Sequence, residues 1–304
     1  MGEAKEDGAA QRVTLPAQRA WTWIRVGARG LVDAMLSVLL APACAACEAP
    51  LDRPTRGPVC GACWNTVRVV SPPLCDACGD GLPSWRVASQ MASLCTRCRR
   101  RPSPIARARA AGEYEGSLRG IIHAFKYGGR RSLAAPLGRL MLDRCADVLD
   151  GADCLVPVPL HPRRWRARGF NQAADLARTL PLPVVDALAR TRATRSQTDL
   201  PAARRHGNVR GAFAPAGSPN RRASARLVRH RCVVLIDDVT TTGATLQACA
   251  AVLRAAGARE VRALTVARAA IGRAGPPRLR PRRDPVPPPP GPTPARPPGE
   301  CSSP

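Results

Sequence analysis

Residues 233–246 read Val-Val-Leu-Ile-Asp-Asp-Val-Thr-Thr-Thr-Gly-Ala-Thr-Leu. With Cys232, the run to Ile236 contains no polar side chain except a thiol, and it fits a strand buried on both faces. It ends in two adjacent carboxylates, Asp237 and Asp238. Thr240, Thr241, Thr242, Gly243, Ala244 and Thr245 follow and open a helix expected over 243–256, closed by Gly257. Short hydroxyl residues and a glycine at a helix start expose backbone N–H groups. Together with the positive end of the helix dipole they make a cradle for phosphate. The paired carboxylates just upstream are acceptors suited to the two vicinal hydroxyls of a ribose. A phosphate on one side and a diol on the other describe a 5-phosphoribosyl group. Neither G-x-x-x-x-G-K nor G-x-G-x-x-G occurs, so nucleoside-triphosphatase and dinucleotide-binding loops lack their fingerprints.

Outward from this loop, Val261 to Val266 reads as a second buried strand. Strand, helix and strand in that order imply a parallel sheet flanked by helices, an α/β fold. Upstream, Leu118, Ile121, Ile122, Phe125, Leu133, Leu137, Leu140 and Met141 carry helical spacing across 118–149. Cys154 to Leu160 reads as a buried strand running into a proline-stiffened turn, followed by a helix over 171–180 and an extended piece over 182–189. Residues 190–231, rich in arginine, glycine, serine and proline, read as surface loops, and 99–111 reads as a basic linker. An amphipathic helix is expected over 21–43 and a loose tail over 1–20. Thirteen of the 32 prolines fall in 271–304, including Pro287 to Pro290 in a row, so that tail can supply neither ladder donors nor a core and is expected to be disordered.

Cysteine spacing marks a separate module over 44–100. Four C-x-x-C pairs, Cys44/Cys47, Cys60/Cys63, Cys75/Cys78 and Cys95/Cys98, each suit two thiolates on one tetrahedral metal. Two structural zinc ions, each held by four cysteines, are expected. Consecutive pairing groups the first four and the last four; interleaved pairing is the alternative. Thiolate ligation rather than disulfides implies a reducing, cytoplasmic setting. Cys145, Cys154, Cys232, Cys249 and Cys301 lack ligand spacing and read as small apolar fillers or tail residues.

The chain has 304 residues, with 47 basic and 22 acidic side chains and a net charge of +25. Only Lys5 and Lys126 are lysines. A body this basic attracts polyanions. Aromatic residues make up 3%, which argues against extensive stacking on nucleic-acid bases; Trp64, beside Cys63, is the best single stacking candidate, and packing against its knuckle is the plainer role. No 18-residue apolar run is present, and insertion in a membrane is not expected. Residues 31–43 have the outline of a lipidated signal sequence, but Asp33 interrupts the apolar stretch.

Several further blocks resemble one family. The 233–246 stretch is similar to the phosphoribosyl pyrophosphate signature of type I phosphoribosyltransferases. The blocks Phe125-Lys126-Tyr127 with Gly129 and Arg130, Pro157 to Arg164, Arg168-Gly169-Phe170-Asn171-Gln172, and then Arg192, Thr194, Gln197, Arg205, Asn208, Gly211 and Phe213 resemble the ComF branch, associated with bacterial DNA uptake. That branch carries an N-terminal double zinc ribbon, which the knuckles resemble. The resemblance runs from about 40 to 269 and implies a phosphoribosyltransferase-like domain over 112–270. It implies phosphoribosyl pyrophosphate as ligand, accompanied by Mg²⁺, and transfer of the phosphoribosyl group as the reaction, with no acceptor or catalytic base readable. Asp237, Asp238 and residues 240–245 would hold the phosphoribosyl group. Pro157, Val158 and Pro159 would form the pyrophosphate loop, with Lys126, Arg163, Arg164, Arg166 and Arg168 as anion contacts. The same resemblance leaves a second reading: a non-catalytic competence factor whose ribbons and basic loops meet single-stranded DNA or a helicase partner.

Overall fold

The computed structural model describes residues 30–82, 94–100, 102–192, 211–217 and 226–269. The expected tails, residues 21–29 of the expected first helix, Cys301 and the matched positions between 193 and 210 lie outside these residues.

The centre is a four-stranded parallel sheet in the order β1-β6-β5-β2. Strand β1 is Arg107–Glu113, β2 Cys154–Pro157, β5 Cys232–Thr240 and β6 Glu260–Arg268. A separate antiparallel pair joins β3 (Leu188–Arg190) to β4 (Phe213–Pro215). In β5, residues 232–236 are fully buried because helices cover both faces of the sheet. Alternate side chains feed two core layers. Val234 and Ile236 join Phe125, Ile121, Leu137 and Met141, while Val233 and Leu235 join Leu246, Cys249, Ala250 and Leu253.

Helices α1 (30–40), α2 (Gly61–Asn65) and α3 (Thr96–Arg100) belong to the cysteine-rich part. The expected helical stretch over 118–149 is divided into α4 (Gly116–Tyr127) and α5 (Ala134–Cys145), with short 3-10 turns beside α5. The division falls at Gly128-Gly129, where Gly129 takes φ 63°, a left-handed conformation that favours glycine. Helices α6 (Pro162–Arg168) and α7 (Gln172–Ala177) follow β2, and α8 (Ala244–Ala255) follows β5.

One sequence expectation is corrected. Most of the supposed linker 99–111 is structured: β1 pairs in parallel with β6 from Arg107↔Arg262 to Glu113↔Arg268. Its arginine–alanine texture hides a strand because Arg109 is directed onto the cysteine-rich module. There it donates to the carbonyls of Cys75 and Asp76 at 3.3 and 3.0 Å. Helix α1, part of the expected helix 21–43, docks by its polar side, a choice of face the sequence leaves open. Asp33 is buried and its carboxylate accepts from the Thr55 amide at 2.9 Å, while the Ser37 hydroxyl donates to the Leu51 carbonyl at 3.1 Å. Leu31, Met35, Val38, Leu39 and Leu40 face outward. The polar stripe of this helix is what fits the module, because the module offers backbone groups rather than an apolar groove.

The module itself packs onto the sheet domain. Cys44, Leu51, Val59 and Cys63 share a core with Leu118, Ile121 and Ile122 of α4, and Trp64 packs against that core. On the sheet edge, the Ala108 amide donates to the Ala77 carbonyl at 2.7 Å. Arg268, at the end of β6, pairs with Asp80 and donates to the Cys78 carbonyl.

Candidate functional site

The carboxyl ends of β2 and β5 lie side by side, in register from Cys154↔Val233 to Pro157↔Ile236, and the Val158 amide donates to the Ile236 carbonyl at 2.9 Å. The 157–159 loop therefore borders the carboxylate pair directly. Ligands of open α/β sheets bind at such strand ends. Both carboxylates sit inside β5, which runs on to Thr240 rather than stopping at Ile236.

Asp237 is held by its neighbours in sequence and in space. One carboxylate oxygen accepts from the Asp238 amide at 2.8 Å. Burial first, and then the charge of Asp238, push its pKa up to about 7, against the opposing pull of Lys126. Asp238 is also buried, and its Oδ1 lies 2.8 Å from the Lys126 Nζ. Burial disfavours the Lys126 ammonium, but Asp238 and Asp237 outweigh it and hold its pKa above the ordinary value. The structure thus places Lys126, an expected pyrophosphate contact, on the second carboxylate.

Beyond the carboxylates the chain turns through Thr241 and Thr242 into α8. Gly243 caps the helix at φ 76° with no side-chain cap bond. The Thr242 hydroxyl accepts from the Ala244 amide at 3.4 Å. The Thr241 Oγ1 is buried and has no hydrogen-bond partner among the described residues. A buried hydroxyl in that state is costly unless a ligand completes it.

The arginine block forms helix α6. Its start is set by Pro162 in the first turn and by the His161 side chain, which accepts from the Arg163 amide at 3.2 Å. Arg168 donates to Gln172 at 3.1 Å and to the Tyr127 hydroxyl at 3.0 Å, and lies 4.8 Å over the Tyr127 ring. Arg164 is near enough to Arg190 of β3 to lower the latter's pKa, after burial as the larger cause. Arg190 also acts on Asp237, so it belongs to the same site. Sequence reading gave Arg190 and Tyr127 no role, although Tyr127 stands next to Lys126 in a quoted block. Asn171 ties this region to the loop at β2: its Nδ2 donates to the Val158 carbonyl at 3.1 Å.

The cysteines form two groups, Cys44/Cys47/Cys60/Cys63 and Cys75/Cys78/Cys95/Cys98, with all sulfurs of a group within 4.8 Å of one another. This is the consecutive pairing. Burial opposes ionisation of Cys44, but amide donors from Cys60, Ala46 and Cys47 bring its thiol down to about 6. Cys78, the largest influence, brings Cys75 down to about 4 and is itself raised by Cys75. Four soft donors in each group support structural zinc. Cys145, Cys154, Cys232 and Cys249 are buried away from both groups, as apolar fillers. Among the described residues no helix is long and apolar enough to cross a membrane.

Comparison with known proteins agrees with this division. Residues 35–99 match the double zinc ribbon domain, and residues 166–279 match the phosphoribosyl transferase domain. The chain is 34% identical over 231 residues to the DNA utilization protein YhgH of Escherichia coli strain K12, covering 72% of this chain and 93% of that protein. It is 31% identical over 237 residues to competence protein F of Haemophilus influenzae, covering 74% and 96%. Among solved structures, glutamine phosphoribosylpyrophosphate amidotransferase from B. subtilis gives 21% identity and a TM-score of 0.31, over 47% of this chain and 30% of that one.

Proposed function

Because the chain belongs to the family of competence protein F and the DNA utilization protein YhgH, we propose that its sheet domain binds 5-phosphoribosyl 1-diphosphate and that the protein serves DNA uptake. One observation carries the ligand: the adjacent carboxylates of half-buried Asp237 and buried Asp238, beside a buried, unpartnered Thr241 hydroxyl at the start of α8. The phosphate would sit at 241–245, the ribose hydroxyls at Asp237 and Asp238, and the diphosphate toward 157–159 with Arg163, Arg164 and Arg190 near it. The oxygen donors at this strand end also fit Mg²⁺, a hard cation that would arrive on the diphosphate and neutralise it. Transfer would need little acid–base machinery, since positioning and charge stabilisation supply most of its catalysis. The reading places the protein in the cytoplasm.

Calorimetric titration with 5-phosphoribosyl 1-diphosphate and Mg²⁺ tests the ligand. Binding by the wild type, lost in the double variant Asp237→Asn, Asp238→Asn at unchanged fold, is the expected result. Wild-type affinity in the double variant defeats the assignment.

A second reading has its own observation. Trp165 and Tyr127 are the only large exposed aromatics among the described residues, at 53% and 63%, and both stand among arginines on α6 and the end of α4. Aromatic faces beside guanidinium groups are a platform for single-stranded DNA. A salt series with single-stranded DNA and the Trp165→Ala variant tests it. Equal affinity of variant and wild type at every salt concentration would remove the platform.

A further inference from the structure

The Lys126–Asp238 pair lies within the site but falls outside the role given to either residue so far. Lys126 sits in the last turn of α4, and its ammonium reaches the second carboxylate of β5. Its side chain is 15% exposed and that of Asp238 is 12% exposed. The chain has one other lysine, Lys5, against 45 arginines by difference from 47 basic residues. An ammonium is a compact point charge that fits beside one oxygen, whereas a guanidinium needs a planar, two-pronged partner.

Two adjacent carboxylates, one buried and one half-buried, do not readily both carry charge without a nearby cation. In phosphate-binding sites that cation is commonly a divalent metal. Here an ammonium already stands 2.8 Å from one of the two acids. We propose that Lys126 is the resident counter-ion of the carboxylate pair and a positioning residue for it. It keeps Asp238 an acceptor for the ribose diol, so that recognition of the sugar needs no divalent cation. Any metal requirement then belongs to the diphosphate alone. This rests on the phosphoribosyl reading above. The groups that face the ammonium are Asp238, Asp237 and Tyr114, while Arg190 and Cys249 approach Asp237 from β3 and α8. Arg190 is stacked over the Phe213 ring at 5.2 Å, and burial disfavours its charge. The lysine is therefore a cation in direct contact with the pair, at 2.8 Å from Asp238.

The probe is ribose 5-phosphate, which has the diol and the 5-phosphate but no diphosphate, with 2-deoxyribose 5-phosphate as its control. Each is titrated calorimetrically into the full-length zinc-loaded protein. One arm has Mg²⁺; the other has Mg²⁺ omitted and adventitious divalent ions removed from buffer and ligand beforehand. The wild type should bind ribose 5-phosphate equally well in both arms, and should prefer it to the deoxy sugar by about tenfold, one charge-assisted contact. Lys126→Met should lose that preference without Mg²⁺, and Lys126→Arg should recover part of it. Mg²⁺-dependent binding of ribose 5-phosphate by the wild type would overturn the role of Lys126 and leave the phosphoribosyl reading intact. So would an unchanged preference in Lys126→Met. Absence of binding to both ribose 5-phosphate and the diphosphate ligand, with Mg²⁺ present, would overturn the phosphoribosyl reading and this inference with it. The wild-type arms decide the matter even if Lys126→Met unfolds.

Discussion

Asp237 carries a cost that pH should reveal. Its pKa in the folded chain is raised to about 7 from an ordinary 3.8. Between those values the folded state binds more protons than the unfolded state, so this group makes stability fall as pH rises from about 4 to about 7. Asparagine keeps the acceptor for the Asp238 amide and cannot ionise. Asp237→Asn should therefore melt several degrees above wild type at pH 8, a gain on the order of a few kcal/mol, and the advantage should vanish near pH 4. A constant difference across that range would show that Asp237 is not the titrating group. Thr241 makes the converse case. Its buried hydroxyl has no partner, so Thr241→Val should leave stability unchanged or slightly raised. Ligand affinity should fall about tenfold, the size of one lost hydrogen bond to a charged group. Parallel melting and titration of this variant separate a ligand contact from a structural one. Residues of this loop were legible in the sequence because strand, carboxylates, threonines and glycine are contiguous. The partner of Asp238 was not, since Lys126 lies 112 positions away (238 less 126) and reaches it only through the packing of α4.

At the scale of elements, α4 links the two halves of the molecule. One face joins the core under β5 and β6, its last turn carries Lys126, and its middle meets the first zinc ribbon at Gly120. A Cβ placed on Gly120 would come within 3.2 Å of the Ala46 carbonyl oxygen, which is backbone of the Cys44/Cys47 knuckle. Gly120→Val should force the helix and the knuckle apart and destabilise the protein by about 1–3 kcal/mol. Its effect on ligand affinity should exceed that of a matched destabilisation elsewhere in the core, because it displaces the helix that carries Lys126. Equal affinities would uncouple ribbon and site. Sequence periodicity found the apolar face of α4 and α5 but merged the two helices, since glycine freedom at 128–129 leaves no gap in the hydrophobic pattern. It missed β1 for a different reason. An edge strand of arginine and alanine alternates over only its first four residues and lacks the apolar bulk that marks a strand, and its pairing with β6 reveals it.

For the whole molecule, the first ribbon shares a continuous core with the sheet domain and the second is bonded to the sheet through Ala108, Arg109 and Arg268, so all should unfold together. Metal analysis should find two zinc ions per chain. Chelation should lower the melting temperature of a single transition rather than remove a separate early one. Two resolved transitions in calorimetry would refute that unity. Removal of residues 271–304 should leave both the melt and ligand affinity unchanged. The end of β6 adds a matter of timing. Arg268, which fastens the second ribbon through Asp80 and the Cys78 carbonyl, lies 188 and 190 positions beyond them. A ribosome makes the ribbon first and its fastening last. On the nascent chain, Cys75, Cys78, Cys95 and Cys98 are complete long before β6 emerges, so the metal can be taken up by a ribbon that has only β1 beside it and not yet its clasp on β6. Closing the sheet then waits for β6. A transcript truncated just before codon 268 would yield a metal-loaded ribbon with Asp80 left without that clasp, a product that quality-control proteases should recognise by its uncovered edge.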